Sequence, residues 1–183
     1  MSLGKAFSPF NSQNTIWFKE IFPLLYLPVS CTMRATDIIR GLVAMRVLQN
    51  DNKKILFYGT TVFQKRNEHN LFKDFEDEIP IYLNSKKIVE VLNGLKLKKG
   101  NKFYSQNLLK CYKNLILHKI IDKKEYVYLN SWLKSLKKIL KKILYFNLSI
   151  IFNFPKNSGK YNFKYHFHLE IYTFRELYPK KIS

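Results

Sequence analysis

Cysteine is almost missing from this chain. Cys31 and Cys111 are its only two, eighty positions apart and without a CxxC partner. That scarcity excludes a disulfide framework and a cysteine-based zinc site, and fits a reducing compartment. Each thiol is expected as a small buried apolar group. Long apolar runs are missing too: no segment approaches the ~18 uncharged residues that a spanning helix needs. The amino terminus lacks the basic-then-apolar layout of a secretory leader. Together these absences predict a cytoplasmic protein with no transmembrane segment. No internal repeat is visible. Acidic residues are the last shortage, 13 Asp+Glu against 32 Lys+Arg, for a formal net charge of +19.

The composition that remains is that of a folded chain. An apolar fraction of 46% and an aromatic fraction of 16% in 183 residues argue against disorder, and allow one domain or a piece of a larger one. The charge is unevenly spread. Residues 1–95 carry 12 Lys+Arg against 9 Asp+Glu, whereas residues 96–183 carry 20 against 4. A charge of this size raises nucleic-acid binding as a class. The near-balanced first half shifts the reading away from it, and heavy use of Lys, Asn, Ile, Phe and Tyr is also what an AT-rich coding sequence produces. A basic RNA-binding or ribosomal component stands as the alternative reading, with the carboxy-terminal lysines on phosphates.

Periodicity predicts helices over 13–22, 36–50, 81–95, 105–121 and 123–144, with strands at Leu24–Val29 and Lys54–Tyr58. Ile38, Leu42, Met45 and Leu48 share one face of the second helix. Strand and helix alternate through the first hundred residues, which predicts an α/β fold followed by a helical tail. Two regions are expected, 1–95 and a basic helical appendage at 96–183. Leu133, Leu136, Leu140 and Leu144 form a stripe opposite Lys137, Lys138, Lys141 and Lys142, a basic amphipathic helix. The stretch from Tyr161 to Tyr172 alternates irregularly and is read as terminal strands, with His166 and His168 on one face.

Two polar clusters stand out. Asn11, Ser12, Gln13 and Asn14 lie together between Phe10 and Ile16, a density of donors and acceptors that suits a ligand rich in hydroxyls. Arg34, Asp37 and Arg40 recur three apart, so one helical turn places them on the same side. The competing reading is a surface loop followed by a helix N-terminus capped by Thr36 or Asp37.

The blocks Pro9–Thr15, Phe22–Pro28, Arg34–Gly41, Arg66–Leu71 and Phe72–Glu78 carry a resemblance in their order. Residues 10–95 resemble the carboxy-terminal half of a STELLO-like glycosyltransferase family, itself similar to the reversibly glycosylated polypeptides and UDP-arabinopyranose mutases. The similarity extends weakly to about Leu140 and stops before the last forty residues. It implies a partial glycosyltransferase A-type-like mixed sheet acting on a nucleotide-sugar and a glycan or other hydroxyl acceptor.

Glycosyl transfer needs a stabilised leaving diphosphate, an oriented sugar ring and proton management. Within the resemblance, Arg34 and Arg40 supply fixed positive charge toward phosphate. Asp37, kept ionised between them, is the catalytic candidate. Asn11, Ser12, Gln13 and Asn14 join the arginines as substrate-binding residues. The resemblance also implies His69 as a candidate ligand for a divalent metal, Mn or Mg, or for the diphosphate. The acidic run Asp74, Glu76, Asp77 and Glu78 lacks DxD spacing and reads as a solvated helix entrance. The family's nucleotide-binding half has no counterpart before Phe10. The expectation is therefore an acceptor-side half that works with a nucleotide-binding partner chain and is inactive alone.

Overall fold

The computed structural model describes residues 6–8, 10, 12, 14–63, 68 and 70–152, the last nine of these as helical backbone only. The elements run in the order 3-10 helix Lys19–Leu25, α1 Thr36–Asn50, α2 Leu71–Asn93, a short 3-10 turn Asn101–Phe103, α3 Tyr104–Leu117 and α4 Glu125–Phe152. The expected α/β mixed sheet is overturned: among the described residues there is helix and no strand. The chain divides into two compact units, Met1–Asn130 and Ser131–Ser183, with the division inside α4. The terminal strands expected at 161–172, with His166 and His168, lie outside the described residues.

Both expected strands fail for a physical reason. A strand needs a neighbouring backbone to take its N–H and C=O groups. The apolar run at Leu24–Val29 begins inside a 3-10 helix, and the N–H groups of Val29 and Ser30 donate to a side-chain carboxylate, that of Glu125. Lys54–Tyr58 contains a single isolated bridge residue, Leu56, and leaves Leu56 and Tyr58 exposed to solvent.

α1 is the central helix. Ile39 through Met45, with Val47 and Leu48, are buried, so it is covered almost all round rather than along one stripe. Gly41 admits this crowding: a Cβ there would stand 3.2 Å from the Phe10 ring and from its carbonyl oxygen. α3 packs on α1, α2 and the first 3-10 helix. Its buried residues Tyr104, Asn107, Leu108, Cys111, Tyr112 and Leu115 recur at intervals of three and four, a single core-facing stripe.

Side chains close the helix ends. The Asn70 carboxamide oxygen accepts from Lys73 N at 3.2 Å and caps α2. Arg46 on α1 donates from Nε and Nη2 to the carbonyls of Leu92 and Leu95, at 2.9 and 2.6 Å, at the other end of α2. Asn107 pairs with both backbone groups of Lys98, donating at 2.7 Å and accepting at 3.0 Å. This bonding ties the Leu95–Gly100 segment to α3. Gly100 turns at φ 100°, where other residues are strained, and donates to Asp51 at 2.8 Å.

Candidate functional site

The predicted arginine–aspartate motif straddles the start of α1. Thr36 opens the helix, and its hydroxyl donates back to Met33 O at 3.0 Å. Arg34, just outside the helix, forms an ion pair with Asp74 in the first turn of α2, both side chains being partly exposed. Asp37 lies in the first turn of α1 and is partly buried; a negative charge there is favoured by the helix dipole. Arg40, one turn on, is 3% exposed. The motif therefore splits, with Arg34 engaged on α2 near the surface and Arg40 taken into the interior.

The first polar cluster is divided as well. Ser12 and Asn14 are exposed, and the Asn14 amide donates to Thr61 Oγ1 at 2.9 Å. That bond joins the amino-terminal segment to the irregular stretch after Gly59. Asn11, Gln13 and His69 lie outside the described residues. Among the described residues, no three His, Cys, Asp or Glu side chains gather as a metal would need. They supply no ligand set for Mn or Mg.

Aromatic rings hold Arg40. Its guanidinium carbon lies 4.9 Å from the Trp17 ring centroid and 5.6 Å from that of Phe10, and those two centroids are 6.0 Å apart. Three such similar distances place the rings side by side over one flank, not on opposite faces. Burial lowers the Arg40 pKa, while the nearby Asp37 and Tyr112 act in the opposite sense.

The interior also holds a buried carboxylate that sequence reading missed. Glu125, at the start of α4, is 0% exposed. It accepts from the Tyr26 hydroxyl, from Val29 N at 3.0 and 3.1 Å, and from Ser30 N at 2.8 Å. An ionised group survives burial only when donors surround it, and Glu125 has them. The Tyr26 ring meets Tyr112 edge-on at 5.3 Å. Burial, with Glu125 next in effect, raises the Tyr112 phenol well above its ordinary value. Burial followed by Glu125 pushes the Cys31 thiol up to about 12, and burial pushes Cys111 to about 12 as well. Thiols so raised stay protonated and unreactive. A signal for Glu125 was present in the sequence: apart from Asp122 it is the one acid between positions 96 and 169, set in a lysine-rich stretch.

A family model described as STELLO glycosyltransferases matches residues 34–157. It begins on Arg34 and takes in α1 to α4, and with them Asp37, Arg40, Tyr112 and Glu125. No curated protein and no solved structure matches the chain.

Proposed function

The chain belongs to the STELLO glycosyltransferases, and from that premise we propose that it forms the acceptor- and sugar-binding part of a glycosyltransferase that uses a nucleotide-sugar. Family membership across α1–α4 is the observation that carries the reading, because it supports a glycosyltransferase-like function with a sugar donor and an acceptor as partners. Asp37 is the acidic group in this reading. It is partly accessible at the head of α1 and accepts the proton of the acceptor hydroxyl as the glycosidic bond forms. Arg34 and Arg40 supply positive charge toward the leaving diphosphate, while Ser12 and Asn14, with Asn11 and Gln13, bind sugar hydroxyls. His69 is the metal candidate of this reading. The relation to the reversibly glycosylated polypeptides and UDP-arabinopyranose mutases belongs to it as well, as does a cytoplasmic location.

Nucleotide recognition is assigned to a second polypeptide. Two features support that assignment. The described residues hold no strand at whose end a nucleotide could sit. α2 also exposes Leu71, Phe72, Phe75 and Leu83, an apolar face of the kind that marks a protein contact.

The test is a panel of nucleotide-sugars offered to the purified chain with and without candidate acceptors, read by ligand-observed NMR and by product analysis. Sugar-proton contacts without turnover are expected, and Asp37→Asn keeps those contacts. Turnover restored by a nucleotide-binding partner is lost in Asp37→Asn by a factor of about 100 or more, the scale of acid–base catalysis. Rapid donor hydrolysis by the chain alone, or full activity of Asp37→Asn in the reconstituted pair, overturns the proposal.

A further inference from the structure

Among the described residues, the buried charged groups are one cation, Arg40, and one anion, Glu125, and they are not each other's partner. Both Glu125 oxygens are taken by Tyr26, Val29 and Ser30. Arg40 is in neither of the ion pairs found among the described residues, which join Arg34 to Asp74 and Lys53 to Glu20. Its Nε and Nη2 are buried with no hydrogen-bond partner. Ring faces and the charge of the nearby Asp37 offset part of that cost. Neither supplies an acceptor for Nε and Nη2, so the desolvation of those two donors stays uncompensated. The Tyr112 hydroxyl is also buried without a partner, on the helix that packs against α1, and the guanidinium and the phenol each bear on the other's titration, as neighbouring groups do. Ser30 Oγ is a third buried orphan, on the loop that Glu125 holds.

A structural cation would take Glu125 or a backbone carbonyl as its partner. Here the acid is saturated by other donors, while a guanidinium fork and a phenol hydroxyl stand ready to donate. We infer that Arg40 and Tyr112 form a buried oxyanion site that takes a phosphate group, with Phe10 and Trp17 covering the guanidinium from the solvent side. Arg40 donates from Nε and Nη2 to two oxygens of one phosphate, the geometry in which arginine is strongest. Tyr112 donates to a third. Trp17 is only partly buried, so an entering anion displaces a cover one ring thick. The inference rests on the proposed function for the source of the phosphate, the donor's diphosphate, and on the geometry above for the site itself.

The test titrates inorganic phosphate into the Trp132→Phe protein, in which Trp17 is the remaining tryptophan. The readouts are Trp17 emission and melting temperature against chloride at matched ionic strength. Phosphate is expected to shift both, and chloride neither. Tyr112→Phe weakens phosphate binding about tenfold, as the loss of one hydrogen bond to a charged group implies. Arg40→Met abolishes the response and raises the melting temperature of the phosphate-free protein, because a guanidinium with two uncompensated donors has been replaced by an apolar side chain. Equal responses to phosphate and chloride, or phosphate binding unchanged in both variants, overturn the site. A second titration with a nucleotide-sugar separates the two ideas. Phosphate binding without nucleotide-sugar binding keeps the site and sinks the donor reading, whereas loss of both sinks the site.

Discussion

At the scale of single residues, the interior is organised by polar groups that need partners. Glu125 satisfies Val29 N, Ser30 N and the Tyr26 hydroxyl at once, so its removal strands three donors. Each stranded donor costs about 1–3 kcal/mol. Glu125→Ala is expected to lose about 3–5 kcal/mol in urea denaturation, and Glu125→Gln less, because its amide still accepts through one oxygen. A loss below about 1 kcal/mol in Glu125→Ala would show that the loop holds itself. The thiols make a second prediction. Cys31 and Cys111 rise from an ordinary value of 9.0 to about 12. In the unfolded chain they ionise from about pH 9, and in the folded protein they do not. Their contribution is therefore complete below pH 9 and is lost as the pH climbs toward 12. Melting temperatures should fall through that window. A Cys31→Ala, Cys111→Ala double variant should flatten the fall until the buried Tyr112 phenol takes over above its ordinary 10.0. An unchanged slope in the double variant would remove the thiols from the account.

At the scale of elements, the helices follow their patterns and their ends depend on distant side chains. α1 runs over 36–50 as the periodicity predicts. α2 starts ten residues earlier than the predicted 81, because Asn70 caps it and the chain passes through Pro80 without ending. Pro80 removes one N–H from the helix ladder. In the turn before it, the Thr32 hydroxyl donates to Asp77 O at 2.6 Å. A proline inside a helical pattern ordinarily marks a boundary; tertiary support carries this helix across it. The far end of α2 depends on Arg46. Arg46→Lys keeps the charge but not the fork, and is expected to cost about 1–2 kcal/mol, with faster amide exchange confined to 92–95. Uniform exchange changes across the chain would contradict a local cap.

At the scale of the whole molecule, charge and fold follow different rules. On α4, Trp132 and Leu136 are buried while Lys134, Lys137, Lys138, Lys141 and Lys142 are exposed. The expected basic amphipathic pattern is present there. A solvated lysine row attracts any polyanion, with an affinity that falls steeply as salt is added. Lys137, Lys138, Lys141 and Lys142 changed together to Gln should weaken RNA binding at low salt about uniformly across sequences and leave phosphate binding at Arg40 intact. Tight, sequence-specific RNA binding that survives physiological salt and disappears in this variant would favour the ribonucleoprotein alternative.

What the sequence determined by itself is whatever depends on local periodicity and on motif order: the span of α1, the presence of a helix at α3, the lysine face of α4 and the family to which the Arg34–Arg40 block points. Tertiary structure decided the rest. Whether an apolar run becomes a strand depends on a neighbouring backbone, and Leu24–Val29 found the carboxylate of Glu125 instead. The same holds for the direction of a charged side chain. Arg34 and Arg40 share a motif, yet Asp74 on another helix keeps one partly exposed, while the rings of Phe10 and Trp17 lie over one flank of the other, which is buried. Those partners stand far off in the chain, or on the opposite side of the first 3-10 helix. Spacing within a single helix carries no information about them, because burial and pairing are set by what packs against it.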